Sequence, residues 1–246
     1  MELYIIRHAQ SENNALMRDQ TDRVYDPDLT EVGFKQAEMM AKYLSETTNV
    51  EEYVMHKYGS EKRQSIIPHR ITHLYCSAMH RSLKTARPLS EALGLTPEVW
   101  LEIHEHGGIY LEEDAVVTGY GGMTRSEILN EFTDYILPET VTEEGWWDPT
   151  NGKEDFSLCQ ARAIRVAEAL RERSKRKDSR DDAVALVSHG GFIDCLIKAM
   201  LNNMPAPGYF HWHYNTAISR FDLLPDSAVL VRYINRVSHL PPALVT

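Results

Sequence analysis

The sequence predicts an α/β domain built on a mostly parallel sheet with helices on both faces, and three observations carry that expectation. Short β-prone apolar runs alternate with stretches of helical period along the chain. Residues 3–6 and 183–187 are apolar without interruption, as strands covered on both faces are. Each of these two runs then leads into a polar, histidine-bearing loop ahead of a helical pattern. At 246 residues, 43% apolar and 25% charged, the chain falls in the range of folded globular proteins. We read residues 1–246 as a single domain, with 108–155 as an inserted acidic cap.

Residues 3–6 read as a buried strand delivering the loop Arg7-His8-Ala9-Gln10-Ser11. Thr30 caps a helix whose apolar positions Phe34, Ala37, Met40, Ala41 and Leu44 keep helical spacing. Residues 49–70 are polar and without period, an excursion from the rhythm. Residues 71–76 form the next strand, 81–93 a helix stopped by Gly94, and 98–103 a further strand. Beyond Gly107-Gly108 the rhythm breaks into Gly119, Gly121 and Gly122, a helix over 125–135, and Trp146-Trp147, which we read as packing rather than as a stacking platform. Phe156, Cys159, Ala163, Val166, Ala167 and Leu170 mark a helix over 156–173, followed by a charged, solvated linker over 174–182. A strand over 183–187 then delivers Ser188-His189-Gly190-Gly191 and a helix over 192–201. The tail, 209–214, 217–223 and 228–234, offers two or three more strands broken at Pro225-Asp226.

The formal charge of −10 argues against a nucleic-acid binder, which needs a basic surface. Its whole excess sits in residues 111–155, where twelve acids face only Arg125 and Lys153. No stretch approaches the roughly 18 apolar residues of a membrane helix, and the first residues lack the pattern of a signal peptide. Three scattered cysteines form no disulfide framework, so a reducing, cytoplasmic setting is expected.

Ligands of open α/β sheets bind beyond the carboxyl ends of the strands. Here those ends carry Arg7-His8, Ser188-His189, Cys76-Ser77 with Arg81 nearby, and His104-Glu105 ahead of Gly107. Two histidines, two arginines and a glutamate on one spot suit phosphoryl transfer. A planar, permanently charged guanidinium binds two phosphate oxygens at once, which makes Arg7 and Arg81 clamps. A neutral imidazole, held through its other N–H, can attack phosphorus, a role that suits His8. The leaving alkoxide needs a proton, and Glu105 is the candidate donor, with Glu102 as fallback. Gly190 and Gly191, opening a helix, offer amide hydrogens to an anion. His104 to His106, or His211 with His213, could suggest zinc, but further ligands of suitable spacing are missing. No metal or cofactor is expected, and the nucleotide-binding GxxxxGK[ST] pattern is absent.

Read together, these segments resemble the histidine phosphatase superfamily, of phosphoglycerate mutase-like fold. Arg7-His8-Ala9-Gln10-Ser11-Glu12-Asn13-Asn14 resembles its signature, and Leu29-Thr30-Glu31-Val32-Gly33 with Gln36-Ala37 its first helix start. Cys76-Ser77-Ala78-Met79-His80-Arg81 with Thr85-Ala86 resembles its second arginine motif. Val187-Ser188-His189-Gly190-Gly191 and Tyr214-Asn215-Thr216-Ala217 resemble its second histidine motif and late strand. The resemblance implies a three-layer fold, phosphorylation of His8, a phosphate pocket completed by Arg7, Arg81 and His189, and contacts from Asn14, Ser11 and Gly190. It also favours Glu105, shortly before a glycine, as proton donor. Two departures stand out: Ala9 replaces the usual glycine after the nucleophile, and Ala78 a common proline.

The same residues serve a phosphatase or a mutase, which differ in whether water or a second hydroxyl accepts the group. A mutase must hold a second anion, and the acidic segment offers one arginine for that task. The Glu-Arg-His-Tyr-Gly stretch and later arginine pair expected of such a mutase are also missing. The expected activity is hydrolysis of a small phosphate monoester with a neutral, aromatic or cationic body. Phosphoglycerate mutase-type transfer is the alternative. A non-catalytic phospho-ligand-binding or scaffold role is a second one, at odds with the presence of both histidines and the acid. The sequence does not define the oligomeric state.

Overall fold

The computed structural model describes residues 1–16, 23–56, 59–203 and 208–246, with the backbone alone for 48–56 and 59–68. Its strands are β1 (Glu2–Arg7), β2 (Thr48–His56), β3 (Gly59–Pro68), β4 (His73–Cys76), β5 (Glu98–Val99), β6 (Tyr110–Glu113), β7 (Val116–Gly119), β8 (Ala183–Ser188), β9 (Ile218–Leu223) and β10 (Val229–Arg236). Its α-helices are α1 (Glu12–Ala15), α2 (Glu31–Glu46), α3 (His80–Leu93), α4 (Arg125–Glu131), α5 (Phe156–Lys175) and α6 (Gly190–Met200). Six strands form one sheet in the order β10-β9-β1-β8-β4-β5. The pairs β1–β8, β8–β4 and β4–β5 are parallel, and β9 and β10 add antiparallel strands on the other side of β1. β2 pairs with β3 and β6 with β7 as separate hairpins.

Strand alternation divides the core into two layers. Tyr4 and Ile6 of β1, with Ala185 and Val187 of β8, face one side and pack with Met40 and Leu44 of α2 and Leu83 and Leu89 of α3. Leu3, Ile5, Val184 and Leu186 face the other side and pack with Val166 and Leu170 of α5 and Phe192 and Leu196 of α6. Both faces are covered, which is why these strands are uninterrupted apolar runs.

Register places the loops. Arg7 lies opposite Ser188, Val187 opposite Cys76, and Cys76 opposite Val99. The carboxyl ends of β1, β8, β4 and β5 therefore finish at one edge, and the segments carrying His8, His189, Arg81 and Glu105 start there.

Several elements depart from the sequence expectation. The strand expected over 98–103 stops at Val99, and Leu101–Ile103 forms a 3-10 turn. The carbonyls of Glu102 and His104 turn instead to Nη1 of the buried Arg162, at 2.5 and 3.0 Å. The helix expected over 125–135 ends at Glu131, because the chain then joins β5, with Val99 N–H donating to the Ile136 carbonyl at 2.8 Å. Residues 209–214 form no strand, since the Tyr209 carbonyl accepts from Lys198, and the His211 N–H donates to Asp194. The excursion over 49–70 contains the β2–β3 hairpin, of which residues 57 and 58 lie outside the described residues. Trp146 is buried in the core beside Trp147.

The Thr30 hydroxyl accepts from Gly33 N–H at 3.0 Å, closing the first turn of α2. A Cβ added at Gly33 would stand 2.1 Å from the Gln10 carbonyl oxygen, so this helix lies directly against the loop after β1. Gly33→Ala is therefore expected to cost about 1–3 kcal/mol by overpacking. Chemical denaturation reads this; an unchanged midpoint would show that the loop yields freely.

Candidate active site

His8 follows β1 directly and is fixed through its backbone. Its N–H donates to the Ser188 carbonyl at 2.8 Å, and its carbonyl accepts from the Asn215 side-chain amide at 2.9 Å. The next residue is held too, the Ala9 N–H donating to the Thr85 hydroxyl at 3.0 Å. Ala9, in place of the expected glycine, is buried in a small cluster with Leu29 and Ala37.

The His8 ring is buried, and its two nitrogens face different partners. Nδ1 lies 2.7 Å from the Ala9 carbonyl, which only accepts, so Nδ1 carries the proton. Nε2 accepts from Arg81 Nε at 3.3 Å and so holds its lone pair towards the guanidinium. Burial, followed by the charges of Arg81 and Arg7, holds the His8 pKa well below the usual histidine value. The ring is neutral at pH 7.

Arg7, His8, Ser11, Asn14, Arg81 and Glu105 line one cavity of about 950 Å³. Arg7 Nη1 donates to the His213 carbonyl at 2.6 Å, while its Nε is buried without a partner. Asn14 accepts from Ser11 N–H at 3.3 Å and from the Asn215 amide at 3.1 Å, which ties the start of α1 to the loop before β9. On the far rim stand Glu112, Glu113 and Asp114, from the β6–β7 hairpin.

The His189 ring lies beside that of His8, and Gly190 lies against the Arg7 side chain. Neither lines the cavity; the His189 ring is buried, with its centroid 5.0 Å from that of His8 and its Nε2 2.8 Å from the Ser77 hydroxyl. Its Nδ1 is buried without a partner. Burial, then Arg81 and His8, also holds its pKa well below the usual value. The amides at the start of α6, expected to meet an outside anion, meet Glu105. Its oxygens accept from Gly191 N–H at 3.2 Å, Phe192 N–H at 2.9 Å and His106 N–H at 2.8 Å. A Cβ on Gly191 would stand 2.7 Å from Glu105 Oε1, so a glycine is what allows this carboxyl to sit there. Glu102, the fallback donor, points to Arg165 at 2.7 Å and does not line the cavity.

Among the described residues, no three His, Cys, Asp or Glu side chains are grouped to hold a metal ion. His211 pairs with Asp194 and His213 with Ser219, so the two do not share a partner. No helix among the described residues is long and apolar enough to cross a membrane.

Site partners that the sequence reading left without a role are Ser77 on His189, Thr85 under Ala9, and Asp26 beside Arg81. The first two belong to motifs already quoted. Asp26 lies in a stretch without period, and nothing local marked it.

A mostly parallel sheet whose strand ends bring a buried histidine and two arginines to one cavity is an arrangement suited to phosphoryl chemistry. The family pattern of the histidine phosphatase superfamily (branch 1) matches residues 3–55 and 60–236, and the chain belongs to that family. Among solved structures it is similar to a mycobacterial glucosyl-3-phosphoglycerate phosphatase complexed with vanadate, at 22% identity and TM-score 0.58, over 96% of this chain and 99% of that one. It is also similar to a phosphoserine phosphatase from Entamoeba histolytica, at 19% identity and TM-score 0.56, over 98% and 99%. YhfR of Bacillus stearothermophilus matches at 19% identity and TM-score 0.58, over 97% and 98%. No curated protein sequence matches the chain.

Proposed function

We propose that the protein is a metal-independent phosphomonoesterase that works through a phosphohistidine on His8, with Glu105 as proton donor. The observation that supports it most is the state of His8: neutral, its proton fixed on the Ala9 carbonyl, and Nε2 facing a buried guanidinium. An arriving phosphate takes the Arg81 Nε–H and releases the Nε2 lone pair towards phosphorus. The N–P bond forms as the ester P–O bond breaks, and Glu105 gives a proton to the leaving oxygen. In the second half Glu105 takes a proton from water, the water oxygen attacks phosphorus, and the N–P bond breaks to regenerate neutral His8. The two arginines stabilise charge on the equatorial oxygens throughout.

The acidic rim bears on what the phosphate is attached to. Glu113 and Asp114 repel a second anionic group, while Glu112 is paired with Lys153 and Arg23 also lines the cavity, so we read the substrate as a small monoester with a neutral, aromatic or cationic body, and water as the acceptor. Release of inorganic phosphate from a chromogenic ester, with chelator present, tests hydrolysis. Phosphoglycerate interconversion without release would overturn it in favour of a mutase.

Glu105 has its own signature. Glu105→Gln is expected to lower kcat/KM, which reads only the steps up to departure of the leaving group, by about 10²–10⁴-fold on an alkyl phosphate. On 4-nitrophenyl phosphate, whose leaving group departs without a proton, the loss should be far smaller. Equal losses on both esters would remove Glu105 from the donor role.

A further inference from the structure

Arg81 is nearly fully buried, at 8% exposure, and shares the site with a second buried guanidinium, Arg7. Two acids are close enough to offset its charge, Glu105 and Asp26. Glu105 is occupied by three backbone N–H groups. Asp26 is the one in direct ionic contact, its Oδ1 lying 3.7 Å from Arg81 Nη1 with a side chain only 4% exposed. The same Oδ1 accepts from His80 N–H at 3.1 Å, at the first turn of α3, where Met79 supplies no side-chain cap. Its Oδ2 is buried without a partner. Asp26 thus holds both the helix start that bears Arg81 and the end of the guanidinium remote from His8.

We propose that Asp26 is a positioning residue for Arg81, an inference that rests on the phosphatase reading above. Arg81 touches His8 through Nε, and the other end of its planar group is held by Asp26. With one edge fixed on the imidazole and the other on the carboxylate, the guanidinium cannot turn about its own stem. Its N–H groups then meet the transferring oxygens without reorganisation, the alignment on which rate depends most. Loss of the Asp26 charge also removes a repulsion from a bound anion. Ground-state binding therefore changes less than turnover does.

Asp26→Asn tests the assignment, since the amide oxygen can still accept from His80 N–H while the charge is gone. On 4-nitrophenyl phosphate, kcat should fall at least about tenfold, equivalent to 1.4 kcal/mol, with KM moving less than about threefold. In an Arg81→Lys chain, which has no fork to orient, the same replacement should change kcat less than about twofold. A role confined to capping α3 would cost the same in both backgrounds, and that result overturns the proposal. So does an Asn variant within about twofold of the native chain. If the Asn chain fails to fold, Asp26→Ser, which keeps an acceptor oxygen, runs the same cycle. A native chain that releases no phosphate would overturn the function and the positioning together. Native turnover with an indifferent Asp26 would overturn the positioning alone.

Discussion

His8→Ala is expected to lower phosphate-ester turnover by about 10⁴-fold or more, in the range seen when a covalent nucleophile is deleted. In the proposed mechanism the substitution removes the atom that forms the bond to phosphorus and leaves both arginines, so substrate can still be held. Binding of inorganic phosphate should persist within about an order of magnitude, because Arg7 and Arg81 supply most of the attraction. Quenching the native enzyme during turnover of a labelled ester should trap an acid-labile, base-stable phosphoryl group on the chain, and the alanine variant should trap none. Label on the variant would place the nucleophile elsewhere. Chelator should change neither chain, and abolished native turnover in chelator would mean that a metal does the work.

Mild acid is expected to unfold the protein steeply. Burial holds six histidines below their usual pKa: His69, His104, His213 and His239 at about 4, and His8 and His189 well below the usual histidine value. Each is neutral in the folded chain down to that range, while the unfolded chain protonates it from about pH 6.5 downwards. The unfolded state therefore binds more protons between pH 6.5 and 4, so stability is full above that window and falls as pH drops through it. Each proton contributes about 1.4 kcal/mol per pH unit, and the four rings at about 4 alone reach the 5–15 kcal/mol range of a typical domain within about two units. Asp26, which burial pushes up to about 6, opposes this by a single proton. Circular dichroism against pH at constant temperature should show a cooperative loss near about pH 5. Native near-UV signal at pH 4 would mean that these rings are hydrated.

What could be read in the sequence follows from what leaves a periodic or local trace. β1 and β8 were legible because burial on two faces forces every residue to be apolar. The α2 start was legible because Thr30 and Gly33 sit at cap spacing. Arg7, His8 and Arg81 were found because each lies at or just beyond a strand end. Glu105 was named on sequence, but its seat on the amides of α6 was not foreseeable. That seat depends on the early end of β5, set by Arg162 some sixty residues later. The contact of the His189 ring with His8 and with the Ser77 hydroxyl depends on side-chain packing, which strand order does not specify. Asp26 left no trace because its meaning lies in a distant helix, not in its neighbours.

The neighbours of β1 impose an order on biosynthesis. Its two partners, β8 and β9, lie far along the chain, so β1 has no edge to pair with until residue 188 is available. At about 5–20 residues per second that interval is some 10–40 s, during which residues 3–6 stand as a bare apolar segment. Such remote pairing slows refolding and favours association between unfinished chains. It also leaves His8 unfixed on a nascent chain, because the carbonyl of Ser188 and the amide of Asn215 that hold it are synthesised so much later.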